Sequence, residues 1–249
     1  PRLAPGAIIE ENGEQIGVIG ATTQRVETIS SPGSTEETTG GQNDMQALAQ
    51  TIQPVIDTMR AEGVNKIVLA SHLQQIQLEQ ELAGLLDGVD VIVAGGSDTL
   101  LADETDQLRS GDTADAGYPI LTEDAGGNPV AIVSTDGEYS YVGRLVVEFD
   151  DNGVINPDSI DPAASGNFAT TDAVVRQVAG SEDPSADGSK ASIAQELVNG
   201  VEGVVAEQDG NTFGQTQVFL DGRRESVRTE ETNLGNLTAD ANLATAQEV

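Results

Sequence analysis

The one histidine of this chain, His72, ends the run Lys66-Ile-Val-Leu-Ala-Ser-His, and the next apolar run, Val89-Asp-Val-Ile-Val, closes on Gly95-Gly-Ser-Asp98. An imidazole nitrogen beside a carboxylate oxygen is a mixed donor pair that suits zinc, manganese or iron, and its nitrogen sets it apart from a calcium site. Ligands of α/β proteins gather at the carboxyl ends of strands, where loops converge. If the two runs are neighbouring strands, His72 and Asp98 emerge on one rim, within reach of one ion. A histidine after a strand is also an ordinary loop residue, and Gly-Gly-Ser-Asp is a common turn; both readings stay open. A second group, Arg224 and Arg228, stands four residues apart in RRESVRTEETNLGNL. Guanidinium forks match phosphate geometry. The same arginines could equally pair with Glu225, Glu230 or Glu231 on the surface, and Asn233 and Asn236 suit the caps of a following helix.

These residues need a frame. Ala7–Glu10, a turn at Asn12-Gly13 and Gln15–Gly20 predict a hairpin. Ser30–Gly41 is polar and predicts a loop. Asn43 or Asp44 can cap a helix to about Glu62, with Met45, Leu48, Ile52, Val55, Ile56 and Met59 at helical spacing. A strand at 66–70, a helix from Ile76 to Leu86 and a strand at 89–93 then imply a parallel β-α-β unit in an α/β sheet. Tyr118–Thr122, Val130–Ser134 and a long Tyr139–Phe149 predict an antiparallel meander, with turns at Gly126-Gly127 and Asp136-Gly137. Residues 151–187 are rich in Asp, Ser, Pro, Gly and Ala and predict a connector, with one helical piece at Thr171–Val178. Ser192–Gln208 predicts a helix, Gln217–Leu220 a strand and Asn236–Gln247 a helix.

Composition narrows the function. The chain has 249 residues, long enough for one large domain or two ordinary ones. Its 42 acidic residues against 11 basic ones set the net charge at -31. Such a surface repels DNA, RNA and anionic membranes. It fits a protein working in high or marine salt, where screening relieves self-repulsion; a calcium-rich surface is the lesser alternative. Aromatics are only 3%, so Val, Ile, Leu and Ala must fill the core. Without cysteine there are no disulfides or thiolate metal sites. No stretch approaches the ~20 apolar residues of a membrane span. The opening Pro1-Arg-Leu-Ala-Pro has neither initiator Met nor signal peptide and reads as the middle of a longer protein.

The runs IGVIGATT, KIVLASH, GVDVIVAGGSDT and GYPILTEDAGGNPVAIVSTDGEYSYVGRLVVEFDDNG follow in an order that resembles the calcineurin-like metallophosphatase domain of bacterial 5'-nucleotidases. VRTEETNLGNLTADA is similar to the opening of that family's C-terminal domain, and its Glu-Thr-Asn-Leu-Gly-Asn-Leu run is the most specific part of the likeness. The resemblance implies an α/β (α+β) fold: a metallophosphatase-type β-sandwich flanked by helices, followed by the start of a second α/β substrate domain. It divides the chain into a metallophosphatase-like domain over 1–150, an acidic connector with a linker helix over 151–208, and the beginning of the C-terminal domain over 209–249. The family's two-metal centre implies divalent ions (zinc, manganese or iron, with calcium at the acidic surface) that activate water and polarise the phosphoryl oxygen.

Carried over by position, His72 matches a metal-binding histidine, and Asp98 stands at the second ligand position of a Gly-His-x-His motif. Gly95 keeps that motif's glycine and Gly96 replaces its first histidine. Gln74 stands where the family places a glycine. The family's earlier ligands would precede Pro1. Arg224 and Arg228 match arginines on the substrate-phosphate side of the cleft, and Asn233 lies in a turn that faces it. The implied function is hydrolysis of nucleotide phosphate monoesters, with a weakened metal site, in the periplasm or outside the cell. The partner is a nucleotide or another phosphate ester, with no nucleic acid and no membrane span. Loss of the histidine at position 96 equally suits a catalytically degenerate relative that acts as an extracellular binding or structural protein. A third alternative is a halophilic binding module that shares only the architecture.

Overall fold

The computed structural model describes residues 4–30, 33–34, 43–180, 185–186, 188–209 and 214–247. It forms two compact units, Pro1–Glu182 and Asp183–Val249.

In the first unit, β1 (Gly6–Glu11) and β2 (Glu14–Thr22) form the expected hairpin. Asn12 and Gly13 both take positive φ, 52° and 86°, as a two-residue turn matched to strand twist requires. A short helix, α1 (Val26–Ile29), follows where the residues suggested none. Most of the predicted 30–41 loop lies outside the described residues. The helix α2 (Met45–Ala61) starts on Asp44, whose carboxylate accepts the Ala47 N–H at 3.0 Å. Its stripe of Met45, Leu48, Ile52, Ile56 and Met59 is buried.

The strand β3 (Ile67–His72), helix α3 (Ile76–Ala83) and strand β4 (Val91–Gly95) make the parallel unit. After β5 (Ile120–Glu123) and β6 (Pro129–Val133), the large sheet is complete in the order β1-β2-β3-β4-β6-β5. Its four inner strands are parallel and its two edge strands antiparallel. Because side chains alternate along a strand, the sheet has two distinct faces. Ile19, Ile67, Leu69, Ile92 and Ile132 pack with the stripe of α2 and with Ile76, Leu82 and Ala83 of α3. Each such side chain contributes roughly 1.5–3 kcal/mol on burial. On the other face Val91 and Ala131 meet Ile155, with Val68, Val147 and Phe149 at the margin. This is a mixed α/β fold with a central sheet flanked by helices, and no helix of the described residues is long and apolar enough to cross a membrane.

The meander is corrected. The stretch 139–149 is not one strand beside β6; it breaks into β7 (Tyr141–Arg144) and β8 (Glu148–Phe149). The break is set by side chains arriving from later in the chain. Ser165 Oγ accepts the Val146 N–H at 2.9 Å, and Ser159 Oγ accepts that of Glu148 at 2.8 Å. Two short strands not anticipated by the residues, β9 (Ile155–Asn156) and β10 (Gly166–Ala169), then pair with β8 and β7. The helix α4 (Asp172–Ala179) is capped by Thr171 and ends on Gly180 at φ 63°.

In the second unit, α5 (Lys190–Asp209) begins on Ser189, whose hydroxyl accepts the Ser192 N–H. The predicted strand at 217–220 is absent: those residues form a bend, and no described strand of this unit is there to pair with them. The helices α6 (Arg224–Thr229) and α7 (Asn233–Gln247) follow. The cap of α7 is Thr232, which accepts the Gly235 N–H at 3.1 Å, and not Asn233 or Asn236. Asn233 instead donates to the Phe219 carbonyl and accepts from the Asp221 N–H, both at 2.8 Å, and so ties the bend to the helix start.

Candidate active site at the carboxyl rim of the sheet

The strands β3 and β4 run side by side with His72 opposite Gly95, and Thr22 of β2 is level with His72 on the other side. Both carboxyl ends therefore open on the same edge of the sheet. His72 is the last residue of its strand and is exposed, as is Asp98. The turn after β4 requires two left-handed residues, Gly96 at φ 82° and Asp98 at φ 50°. Glycine adopts that region without strain, and aspartate tolerates it better than most residues.

The two candidate ligands share the rim but face different neighbours. The His72 ring lies over the glycine pair: a Cβ on Gly96 would come within 2.8 Å of its Nε2, and one on Gly95 within 3.3 Å of its Nδ1. The Gln74 amide crowds the same place, with Nε2 3.0 Å from a Cβ at position 96. Asp98 turns to the loop after β6, where a Cβ on Gly137 would lie 2.8 Å from its Oδ1. That loop holds Glu138 and Tyr139 at positive φ, 60° and 58°. Thr170 pins it by donating its hydroxyl to the Tyr139 carbonyl at 2.8 Å and its N–H to that of Ser140 at 2.9 Å. Tyr139 is 94% exposed. Strained backbone with an aromatic thrown into solvent belongs among functional candidates, and the preceding Gly137 of the same loop stands beside Asp98.

One acidic side chain beneath the rim escaped the sequence reading. Glu79 on α3 is fully buried. Its Oε1 accepts the Ser71 hydroxyl at 2.9 Å and the Leu73 N–H at 3.3 Å, while Oε2 has no partner among the described residues. Burial pushes its carboxyl above the usual range; the hydrogen bonds and the nearby His72 act in the opposite direction. The signal was present in the residues. Glu79 falls three residues after Ile76 and three before Leu82, on the apolar face of its helix.

Imidazole and carboxylate are the right donor types for a divalent ion, yet two side chains fall short of its shell. Among the described residues no three His, Cys, Asp or Glu side chains come together as a metal site. The described residues therefore do not by themselves fit the two-metal centre implied by the resemblance. In the second unit, Arg224 and Arg228 mark the first and fifth residues of α6, and the side chains of both lie outside the described residues.

No protein-family model matches the chain. It is similar to the snake venom 5'-nucleotidase of Naja atra, 30% identical over 239 residues that make up 96% of this chain and 40% of that protein. The trifunctional nucleotide phosphoesterase protein YfkN of Bacillus subtilis is 32% identical over 247 residues, 99% of this chain and 14% of that protein. Among solved structures, the 5'-nucleotidase precursor from Thermus thermophilus matches at TM-score 0.71 and 28% identity, over 98% of this chain and 42% of that one. The chain thus spans well under half the length of these relatives.

Proposed function

This chain is a homologue of the 5'-nucleotidases over nearly its whole length, and from that premise we propose that it belongs to a metal-dependent phosphoesterase that hydrolyses nucleotide phosphate monoesters with a weakened metal site. The observation that carries the proposal is the register of β3 on β4, which presents His72 and the Asp98 turn on one rim of the sheet. A carboxylate alone repels a phosphate ester, so Asp98 belongs in such a site only as a partner to a cation. The reading assigns His72 one nitrogen and Asp98 one oxygen toward zinc, manganese or iron, with the remaining donors outside the described residues. Arg224, Arg228 and Asn233 are the proposed phosphate contacts of the second unit. The venom relative supports a place outside the cytoplasm.

Metal content by elemental analysis, alongside phosphate release from AMP, tests this on the full-length protein as wild type and Asp98→Ala. Fewer than two metals per chain, slow turnover, and a further loss of metal in Asp98→Ala are expected. Two fully occupied metals with brisk turnover would show that the site is not weakened. Unchanged metal content in Asp98→Ala would return Asp98 to a turn residue. Gly96 favours a second reading, a catalytically degenerate relative that binds a ligand, because His72 and Gln74 fill the space where a side chain at 96 would stand. No phosphate release at any metal concentration would select it.

The charge supports a high-salt setting. Ion pairs such as Lys66–Glu14 at 2.7 Å and Arg60–Asp87 at 3.2 Å occur, yet 11 basic residues cannot neutralise 42 acidic ones. The melting temperature is expected to climb as salt is raised from low to molar concentration, because screening reduces the repulsion. A flat or falling curve removes this part of the proposal.

A further inference from the structure

We infer that Glu79 is the positioning residue for His72: its Oε1 holds the Ser71 side chain just before the histidine and the Leu73 backbone N–H just after it, so that the imidazole stands on the rim in one orientation. Its two bonds reach Ser71 and Leu73, the residues immediately before and after His72. The Ser71 hydroxyl also lies 3.2 Å from the Val93 carbonyl on β4, so the same contact ties the end of β3 to the strand that leads to Asp98. The backbone changes direction directly after this clamp. Gln74 takes φ 76°, a conformation that L side chains adopt only when their surroundings hold them there.

A structural acid could have been replaced by an apolar residue at the same helix position, where Ile76, Leu82 and Ala83 share the buried face. Burying a carboxyl with one oxygen unpartnered is costly, and removing the acceptor would orphan the Leu73 N–H. The acid therefore acts through a contact that an apolar side chain cannot make. That contact is the grip on residues 71 and 73. Glutamine keeps a side-chain oxygen acceptor at the same reach as Oε1. The functional part of this inference rests on the phosphoesterase reading; the orientation part does not.

The test uses the full chain as wild type, Glu79→Gln, Glu79→Leu and Ser71→Ala. His72 is the sole histidine, so its ring protons give one assignable set of NMR lines. Glu79→Gln keeps the acceptor and is expected to leave the His72 lines and the exchange rate of the Leu73 amide as in wild type. Glu79→Leu should speed Leu73 exchange by ~10–100-fold, the loss of one buried hydrogen bond, and move the His72 lines toward the position of an unstructured histidine. Ser71→Ala, a milder change that keeps the fold, should move them in the same direction. Phosphate release from AMP should follow the His72 lines, near wild type in Glu79→Gln and lower in the other two with KM unchanged. His72 lines that stay in place in both Glu79→Leu and Ser71→Ala, whatever happens to the melting temperature, would overturn the inference. Wild type that releases no phosphate would instead sink the phosphoesterase reading, while the NMR contrast still decides on Glu79.

Discussion

Gly96→His is expected to destabilise the chain by about 1–2 kcal/mol and to bring no metal with it unless Gln74 is first cut back to glycine. Two costs add up. A β-carbon at φ 82° costs ~1–2 kcal/mol in a left-handed conformation. That carbon would also lie 2.8 Å and 2.9 Å from Nε2 and Cδ2 of His72 and 3.0 Å from the Gln74 amide, the ends of two exposed side chains that must swing aside, which is the smaller cost. Gln74 holds its own positive φ, 76°, so Gln74→Gly alone relieves strain and empties the space. Glutamine at 74 and glycine at 96 share one space, and this contact predicts that the two positions are coupled. Urea denaturation of wild type, both single variants and the double variant closes a thermodynamic cycle. A coupling of about 0.5–1 kcal/mol in favour of the double variant is expected. Additive single effects would show that the positions are independent. Zinc uptake should rise in the double variant alone.

A second large effect is expected at the opposite end of the same strands. Asp90→Asn should stabilise the chain at pH 8 and leave it little changed at pH 4. Asp90 is 8% exposed, and its Oδ2 accepts the Ile67 N–H at 2.6 Å, which satisfies the first donor of β3. Burial pushes its carboxyl from 3.8 up to about 7; Asp124 adds to the rise, while the Ile67 N–H, Arg60 and Lys66 oppose it. A folded-state pKa above the unfolded one means that the native state holds the proton more tightly. The contribution is fully present below about pH 4 and is lost as pH climbs through about 7. At about 1.4 kcal/mol for each tenfold change in proton affinity, the loss is on the order of 4 kcal/mol. Asparagine keeps an acceptor for Ile67 and carries no charge. The measurement is urea stability of both proteins from pH 4 to pH 8. The general self-repulsion of so acidic a chain acts on both proteins, so their difference isolates Asp90. A difference that does not vary with pH would refute the buried-charge account.

Much of the frame was legible in the residues because its causes are local. Apolar spacing with an aspartate ahead of it marked α2, and Asn12-Gly13 marked the hairpin. The short connections around 67–72 and 91–95 marked two parallel neighbours, and the pairing of His72 with Gly95 is their consequence. The same runs located the candidate rim, since parallel neighbours end on one edge. Where causes are remote in sequence, the residues were silent or misleading. A single strand over 139–149 was a sound inference from its β-branched and aromatic residues, and it failed because Ser159 and Ser165 take up its backbone N–H groups. The place of β6 between β4 and β5, and not beside 139–149, was likewise settled by which face could be covered: Ala131 next to Val91, beneath Ile155.

The sequence by itself determined the main helix α2, the hairpin, the parallel pair at the centre of the sheet and the family likeness. Only the tertiary structure decided what surrounds those residues. It laid the His72 ring and the Gln74 amide over Gly96, set Asp98 against Gly137, buried Glu79 behind the histidine and placed Asp90 beneath the opposite edge. The physical reason is one of range. Periodicity, caps and turns act within a few residues of the chain, whereas burial, crowding and the proton affinity of a carboxyl depend on atoms that only packing brings together.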